Sequence, residues 1–273
     1  MTAEEIQLPG RYVSIDEAAA TIEDGCTLAL GGMTLYRRPL GFVKALLRRS
    51  ERPRALTLLS FTGGLESDLL IGADCVKAVR SAYFGLEAFG FAPMFTQYAQ
   101  EQRVQVIEET EASLVMGIRA QISGSGFMPS RAWLGTDLPR LRPDVLTVID
   151  PYSGDELLAF PAIPCDVAVI HGLAGDRLGN VLLNNNLGID MELVYVADVV
   201  IATVERIVDK LERSKDGVII PYPGCDLIAE APAGAAPTSC YPLYRLDGET
   251  ILQYTEACSA GRFAQFLAGF AHS

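Results

Sequence analysis

The sequence predicts an α/β fold, an open and largely parallel sheet flanked by helices. Three observations carry that prediction. Short β-branched apolar runs alternate along the chain with longer stretches of helical period. Several of those runs are almost continuously apolar, as strands buried on both faces require. Glycines cluster just beyond them (Gly31-Gly32, Gly63-Gly64, Gly85, Gly172 with Gly175), where parallel strands turn back into helices and ligands sit.

Taken in order, Ser14-Ile-Asp-Glu17 is a capping box that opens a helix, and Asp24-Gly25 ends it. Thr27–Leu30 is the first expected strand. Pro39 suits the first turn of the next helix, which runs to about Arg49, where cations favour the C-terminal end of the dipole. Strands follow at Leu56–Phe61, Ala78–Phe84 and Val104–Glu108, then at Val145–Ile149, Val167–His171 and Val199–Val204. Further helices are expected at 111–122, 190–197, 205–214 and 260–270. Tyr222 to Pro242, rich in Pro, Gly and Ala, reads as an irregular excursion before the last helix. There is no internal repeat, and one domain over residues 1–273 is the simplest organisation.

Composition narrows the function. Lys plus Arg number 22 against 34 Asp plus Glu, a net charge of −12, which argues against nucleic acid or an anionic membrane as partner. The six cysteines form no CxxC pair and the chain has two histidines, so neither a zinc site nor a redox motif is expected. Cys26 and Cys165 adjoin apolar runs and read as buried thiols in a reducing cytoplasm. The acidic start MTAEEIQLPGRY lacks an apolar core, so no signal peptide is expected. The longest apolar stretch, Leu193 to Val204, is interrupted by Asp198 and is too short to span a bilayer.

Three places could carry chemistry. Gly31-Gly32-Met33-Thr34 ends a strand and Arg37-Arg38-Pro39 opens a helix, which suits close backbone approach to an anion. The same residues would also make a tight turn with two exposed arginines. Tyr83-Phe-Gly-Leu-Glu87-Ala-Phe89-Gly-Phe91 sets one carboxylate in an aromatic, glycine-rich loop. Apolar surroundings would disfavour the charged form of Glu87 and suit it to nucleophilic or acid–base work; the alternative is a solvent-facing glutamate. His171 ends a strand as either a base or a satisfied structural residue. Ser125 lacks the context of a nucleophile elbow, and Glu108-Glu109-Thr-Glu111 reads as a solvated helix start.

The ordered motifs resemble the A (alpha) subunit of family I coenzyme A transferases, in the glutaconate CoA-transferase-like branch. The matching segments begin with Asp24-Gly-x-Thr27 to Gly31-Gly32-Met33, Arg38-Pro39-Leu40 and Tyr83-x-Gly85-x-Glu87. They continue with Gly126-Phe127-Met128-Pro129, Gly135-Thr136-Asp137, Asp150-Pro-Tyr-Ser-Gly154 and Phe160-Pro161-Ala162. Asp166-Val-Ala-Val-Ile-His171, Asp176-x-x-Gly179-Asn180, Thr203-Val-Glu-Arg-Ile-Val208, Ala231-Pro-x-Gly-Ala235 and Pro237-Thr-Ser239 complete the set, over about residues 12–256.

The resemblance implies the NagB/RpiA/CoA transferase-like fold and a B (beta) subunit of the same fold as partner. It implies an acyl-CoA thioester and a carboxylic acid as substrates, with no tightly bound cofactor and no metal. In such enzymes a glutamate attacks the thioester to give an anhydride and then a glutamyl-CoA thioester. That glutamate usually belongs to the beta subunit. Here Gly31, Gly32, Met33 and Thr34 would wall the acyl site, Glu87, Phe89, Gly126 and Phe127 would line the shared cleft, and Arg37 or Arg38 would orient a carboxylate. A related branch hydrolyses a ring carbon–carbon bond in cyclic CoA thioesters, with Glu87 then matching a base. A third reading is a noncatalytic subunit that binds CoA thioesters. Where the branch commonly carries Gly-Ala-His-Pro, this chain has Gly234-Ala235-Ala236-Pro237.

Overall fold

The computed structural model describes residues 11–212 and 217–272. Residues 1–10, and with them most of the segment read for a leader, lie outside the described residues. The chain opens with α1 (Ile15–Ala20), β1 (Thr27–Leu30), α2 (Leu40–Arg48), β2 (Leu56–Gly63), α3 (Leu65–Gly72) and β3 (Val76–Phe84). It continues through α4 (Pro93–Gln100), β4 (Gln105–Glu108), α5 (Glu111–Ile122), β5 (Phe127–Ser130), α6 (Leu138–Leu141), β6 (Leu146–Ile149) and β7 (Glu156–Pro161). Then come β8 (Cys165–Gly172), β9 (Ala174–Asp176), β10 (Val181–Asn184), α7 (Asp190–Val196), β11 (Ala197–Val204) and β12 (Ile207–Val208). The last elements are β13 (Gly217–Ile220), β14 (Leu227–Glu230), α8 (Gly248–Ser259) and α9 (Phe263–Phe270).

Seven strands form the main sheet in the order β14-β11-β8-β1-β2-β3-β4, and every neighbouring pair is parallel. The chain builds one half outward from β1 to β4 and the other from β8 to β14. The direction therefore reverses between β1 and β8. In open parallel sheets a ligand crevice lies beyond the C-terminal strand ends at such a reversal. The strand ends that meet there are Leu30, Gly63, Phe84 and Gly172.

The centre of the sheet is buried because the runs of β1, β2, β8 and β11 are largely apolar on both faces, while β3 and the edge strand β4 are partly exposed. Leu28, Leu30, Leu56 and Leu58 enter the core formed with α2, whose Leu40, Phe42, Val43, Leu46 and Leu47 are fully covered. Burial of each such side chain contributes roughly 1.5–3 kcal/mol. The Ser14 capping box is present as expected, but α1 stops at Ala20, short of Asp24-Gly25. Pro39 stands at the N-cap of α2 rather than within its first turn.

Several expectations need correction. Val145–Ile149 does yield a strand, β6, but in a separate antiparallel sheet of order β5-β7-β6. Residues 205–212 are not helical; Glu205 leads into the short strand β12, and 213 and 214 lie outside the described residues. The apolar run there belongs to β11, whose register with β8 continues to Val204–Gly172. The sequence pattern does not announce helices α3, α4 and α8. Leu65 to Ile71 of α3 are all buried, so this helix carries no one-sided apolar stripe to detect. Tyr222 to Pro242 is irregular except for β14. All six cysteines are free, with Cys75, Cys165, Cys225 and Cys240 buried.

Candidate active site at the C-terminal edge of the sheet

Parallel pairing brings three turns side by side. Gly31 and Gly32 follow β1, Gly63 and Gly64 lie at the end of β2, and Gly85 follows β3. Gly85 N–H donates to Gly63 O at 3.1 Å, and Gly64 packs so closely on the Thr34 carbonyl that a methyl group there would collide with it. Glycine is thus required at position 64 by close approach of backbone.

The first turn is a tight hairpin. Met33 and Tyr36 exchange backbone hydrogen bonds of 2.9 and 2.7 Å, with Thr34 at φ 41°. All four amides from Gly31 to Thr34 already have acceptors. Gly31 donates to Val169 O at 2.9 Å, Gly32 to Asp190 Oδ1 at 3.0 Å, Met33 to Tyr36 O, and Thr34 to Thr62 Oγ1 at 2.7 Å. A backbone wall of an acyl site built from these four residues would therefore present no free N–H of its own; sequence spacing could not reveal acceptors that arrive from Val169, Thr62 and Asp190. Met33 is half-buried and Thr34 is buried.

Arg37 and Arg38 are not the exposed arginines of a surface turn; both are fully buried. Arg37 grips Asp190 through Nη2–Oδ2 at 2.7 Å and Nη1–Oδ1 at 3.3 Å. It also donates to His171 O at 2.6 Å and Asn186 O at 3.0 Å. Arg38 pairs with Glu66, whose Oε1 also accepts from Gly64 N–H at 3.2 Å and Ser67 Oγ at 2.7 Å. Arg37 thus commits both terminal nitrogens, whereas Arg38 Nε and Nη1 are buried without a hydrogen-bond partner among the described residues; neither guanidinium reaches the surface to orient a substrate carboxylate. Sequence reasoning missed Asp190 and Glu66. The signal was two carboxylates, Glu66 and Asp68, in an otherwise apolar run.

Glu87 behaves differently. It is exposed, sits at φ 52° in the left-handed region, and its carboxylate meets no partner among the described residues. The expected apolar burial of this carboxylate is not present in the chain by itself. A 3-10 turn, Glu87–Phe89, is closed by Leu86 N–H donating to Gly90 O at 2.9 Å, and holds Glu87 at its tip. Buried Leu86 anchors one side. Phe89 is half-buried against Gly248 at the start of α8, so it supports the turn from below. Phe91 and Tyr83 flank the carboxylate in sequence and are 84% and 42% exposed.

Gly126 and Phe127 belong with the smaller β5-β7-β6 sheet, not with the strand ends that carry the Glu87 turn. Phe127 pairs with Pro161 and is 45% exposed, and Gly126 O accepts from Ala162 N–H at 3.0 Å. Glu109, expected in a solvated run, is buried between Arg80 and Arg142, with Arg142 Nη1 at 2.6 Å.

His171 is fully buried beside Arg37. Its Nδ1 lies 2.8 Å from Thr203 Oγ1 and its Nε2 2.7 Å from Glu205 Oε1. Burial holds the imidazole below its ordinary value despite Glu205. Burial raises Glu205, but hydrogen bonds from His171 and Tyr244 outweigh it and leave the carboxyl below its usual range. An ionised carboxylate only accepts, so Nε2 carries the proton. Glu205 Oε2 also accepts from Ala233 N–H at 2.7 Å, and Tyr244 Oη accepts from Ala235 N–H at 3.0 Å. Ligand atoms of His171, Glu205 and Cys240 lie within 4.8 Å of one another. Burial pushes the Cys240 thiol up to about 12, and the other two groups already bond each other. The cluster acts as a hydrogen-bonded brace for residues 233–244 rather than as an open ligand set.

The family model described as coenzyme A transferase matches residues 12–231. The A subunit of the 3-oxoadipate CoA-transferase of Pseudomonas knackmussii is 31% identical over 229 residues, covering 83% of this chain and 80% of that protein. The cholesterol ring-cleaving hydrolase IpdA subunit of Mycobacterium tuberculosis is 30% identical over 267 residues, covering 92% and 89%. The decarboxylase AibA/AibB, in the crystal structure of a variant, superposes with a TM-score of 0.88 at 32% identity, covering 96% of this chain and 98% of that one. No helix among the described residues is long and apolar enough to cross a membrane. The extent of the family match, the parallel sheet and the turns at its C-terminal edge together establish that this chain belongs to the coenzyme A transferase family.

Proposed function

We propose that this chain is the alpha subunit of a heteromeric cytoplasmic CoA transferase, moving CoA between an acyl-CoA thioester and a carboxylic acid. A glutamate of the beta subunit attacks the thioester carbonyl, expelling CoA thiolate and forming an acyl-glutamyl anhydride. The thiolate then attacks the glutamyl carbonyl, releases the first acid and leaves a glutamyl-CoA thioester, from which the acceptor acid takes CoA by the reverse steps. The observation that carries this reading is Glu87: an exposed, unpaired carboxylate in a left-handed conformation, held at the edge where β1, β2 and β3 end. Strain of that kind persists where surrounding structure fixes it and clusters at functional sites. The beta subunit would bury Glu87 together with Phe91 and Tyr83, and supply the oxyanion donors that the committed amides of Gly31 to Thr34 do not.

A second reading has specific support. The IpdA subunit matches over 92% of this chain, and a ring-cleaving hydrolysis would use Glu87 to take a proton from water. Purification of the tagged chain from its native host, weighed by native mass spectrometry, tests the first proposal. A stoichiometric second chain of similar size is expected, and a homo-oligomer would overturn the heteromeric reading. Assay of that complex then separates the chemistries. Transfer requires an acceptor acid, whereas hydrolysis or loss of carbon dioxide proceeds without one.

A further inference from the structure

Two buried carboxylates beneath the glycine turns share one arrangement. Asp190 neutralises Arg37 and its Oδ1 also accepts the Gly32 amide at 3.0 Å. Glu66 neutralises Arg38 and its Oε1 also accepts the Gly64 amide at 3.2 Å. The adjacent arginines thus diverge to carboxylates on α7 and α3. Each carboxylate clamps a glycine at the end of one of two neighbouring strands. All four side chains have no exposed surface. The glycines match the clamps, since a methyl group at Gly31 would collide with the Asp190 carboxylate. Buried ion pairs are weak sources of stability, and apolar replacements often do as well. Two buried ion pairs whose carboxylates also fix site backbone therefore point to placement rather than to stability.

We infer that Asp190 and Glu66 are positioning residues that set the Gly31-Gly32 and Gly63-Gly64 turns against the turn bearing Glu87. The link to Glu87 is backbone: Gly63 O accepts Gly85 N–H, two residues before Glu87. Misplacement of a site by about 1 Å can cost on the order of 100-fold in rate, so a small release of either clamp is read in turnover. What the turns do rests on the CoA-transfer reading; how they are held does not.

The test uses the complex of this chain with its partner, carrying Asp190→Asn or Glu66→Gln. Amide exchange over residues 28–36 and 61–66 is followed by mass spectrometry, alongside kcat and KM. In Asp190→Asn an oxygen remains but the uncompensated Arg37 guanidinium displaces the side chain, so Gly32 exchange is expected to rise at least about tenfold while β11 stays protected. Turnover is expected to fall by about 10- to 100-fold with KM nearly constant. The double variant Arg37→Met/Asp190→Asn strands no charge and keeps an oxygen for Gly32, and is expected to recover both protection and turnover. Unchanged exchange at Gly32 would overturn the clamp. Exchange rising equally through β8 and β11, with parental kcat per folded molecule, would reduce both residues to a structural role and so sink the inference. Where Asp190→Asn fails to fold, the double variant and Glu66→Gln carry the same comparison. A parental complex inactive on every thioester and acid overturns the transfer reading while the exchange measurement still decides the clamp.

Discussion

Phe89 rests on the first residue of α8: a methyl group at Gly248 would stand 3.0 Å from its Cζ. Through this contact the turn that carries Glu87 is seated on a helix from the far end of the chain. Phe89→Ala removes a half-buried ring and should cost about 1–3 kcal/mol of stability, less than the loss of a fully buried phenylalanine. Urea unfolding measures the cost. A change below about 0.5 kcal/mol would mean that the ring does not seat the turn.

On the proposed function, the conformation of Glu87 is expected to set stability against activity. A side chain at φ 52° carries a left-handed penalty of about 1–2 kcal/mol, which glycine would not. Glu87→Gly, partly offset by its freer unfolded chain, should stabilise the protein by about 0.5–1 kcal/mol while lowering activity. Glu87→Gln keeps the shape and removes the charge. A fall in turnover of at least about 100-fold makes Glu87 an acid–base group, and one below tenfold leaves it as lining. A Glu87→Gly protein that is both less stable and fully active would refute the link between strain and function.

Glu109 offers a test of burial without catalysis. It lies between Arg80 and Arg142, and Arg142 Nε and Nη2 also reach Asp144, each at 2.8 Å. Glu109→Gln leaves two guanidinium groups with less compensation in a buried place and should cost about 3–5 kcal/mol. The expected drop appears in the denaturation midpoint. A loss under about 1 kcal/mol would show that Asp144 and solvent are enough for both arginines.

The legibility of the molecule follows from the range of the interactions. Strands β1, β2, β8 and β11 are readable because burial on both faces leaves a largely apolar run within one segment. Strand β3, which carries Lys77 and Arg80 and is only partly buried, is readable instead from its β-branched and aromatic residues. The α5 limits, 111–122, match because Thr110 and Ser113 form a local cap. The antiparallel placement of β6 is not readable, because its partner β7 is chosen by tertiary packing. At the site, Glu87 stands out through its aromatic and glycine neighbours. The burial of Arg37 and Arg38 does not, because Asp190 and Glu66 come from distant segments and sequence proximity shows neither. The ordered motifs point to the family, whereas only the folded chain reveals that the amides of Gly31 to Thr34 are already engaged.

The acid response of the protein has a predictable sign. His171 is held below its ordinary value of 6.5 by burial. Below pH 6.5 the unfolded chain therefore binds a proton that the folded imidazole does not, so stability is full above 6.5 and falls as pH drops toward the folded value. Asp68 acts in the opposite direction. Burial pushes its carboxyl up to about 6 despite hydrogen bonds from Tyr254, Phe95 and Met94, so its cost grows as pH rises from about 4 to about 6. The His171 contribution is isolated by His171→Gln, which cannot titrate. Between about pH 7.5 and 5.5 the parent should lose stability more steeply than this variant, whatever the absolute cost of the substitution. Urea titrations at the two pH values give both slopes, and parallel slopes would place the acid sensitivity on a group other than His171.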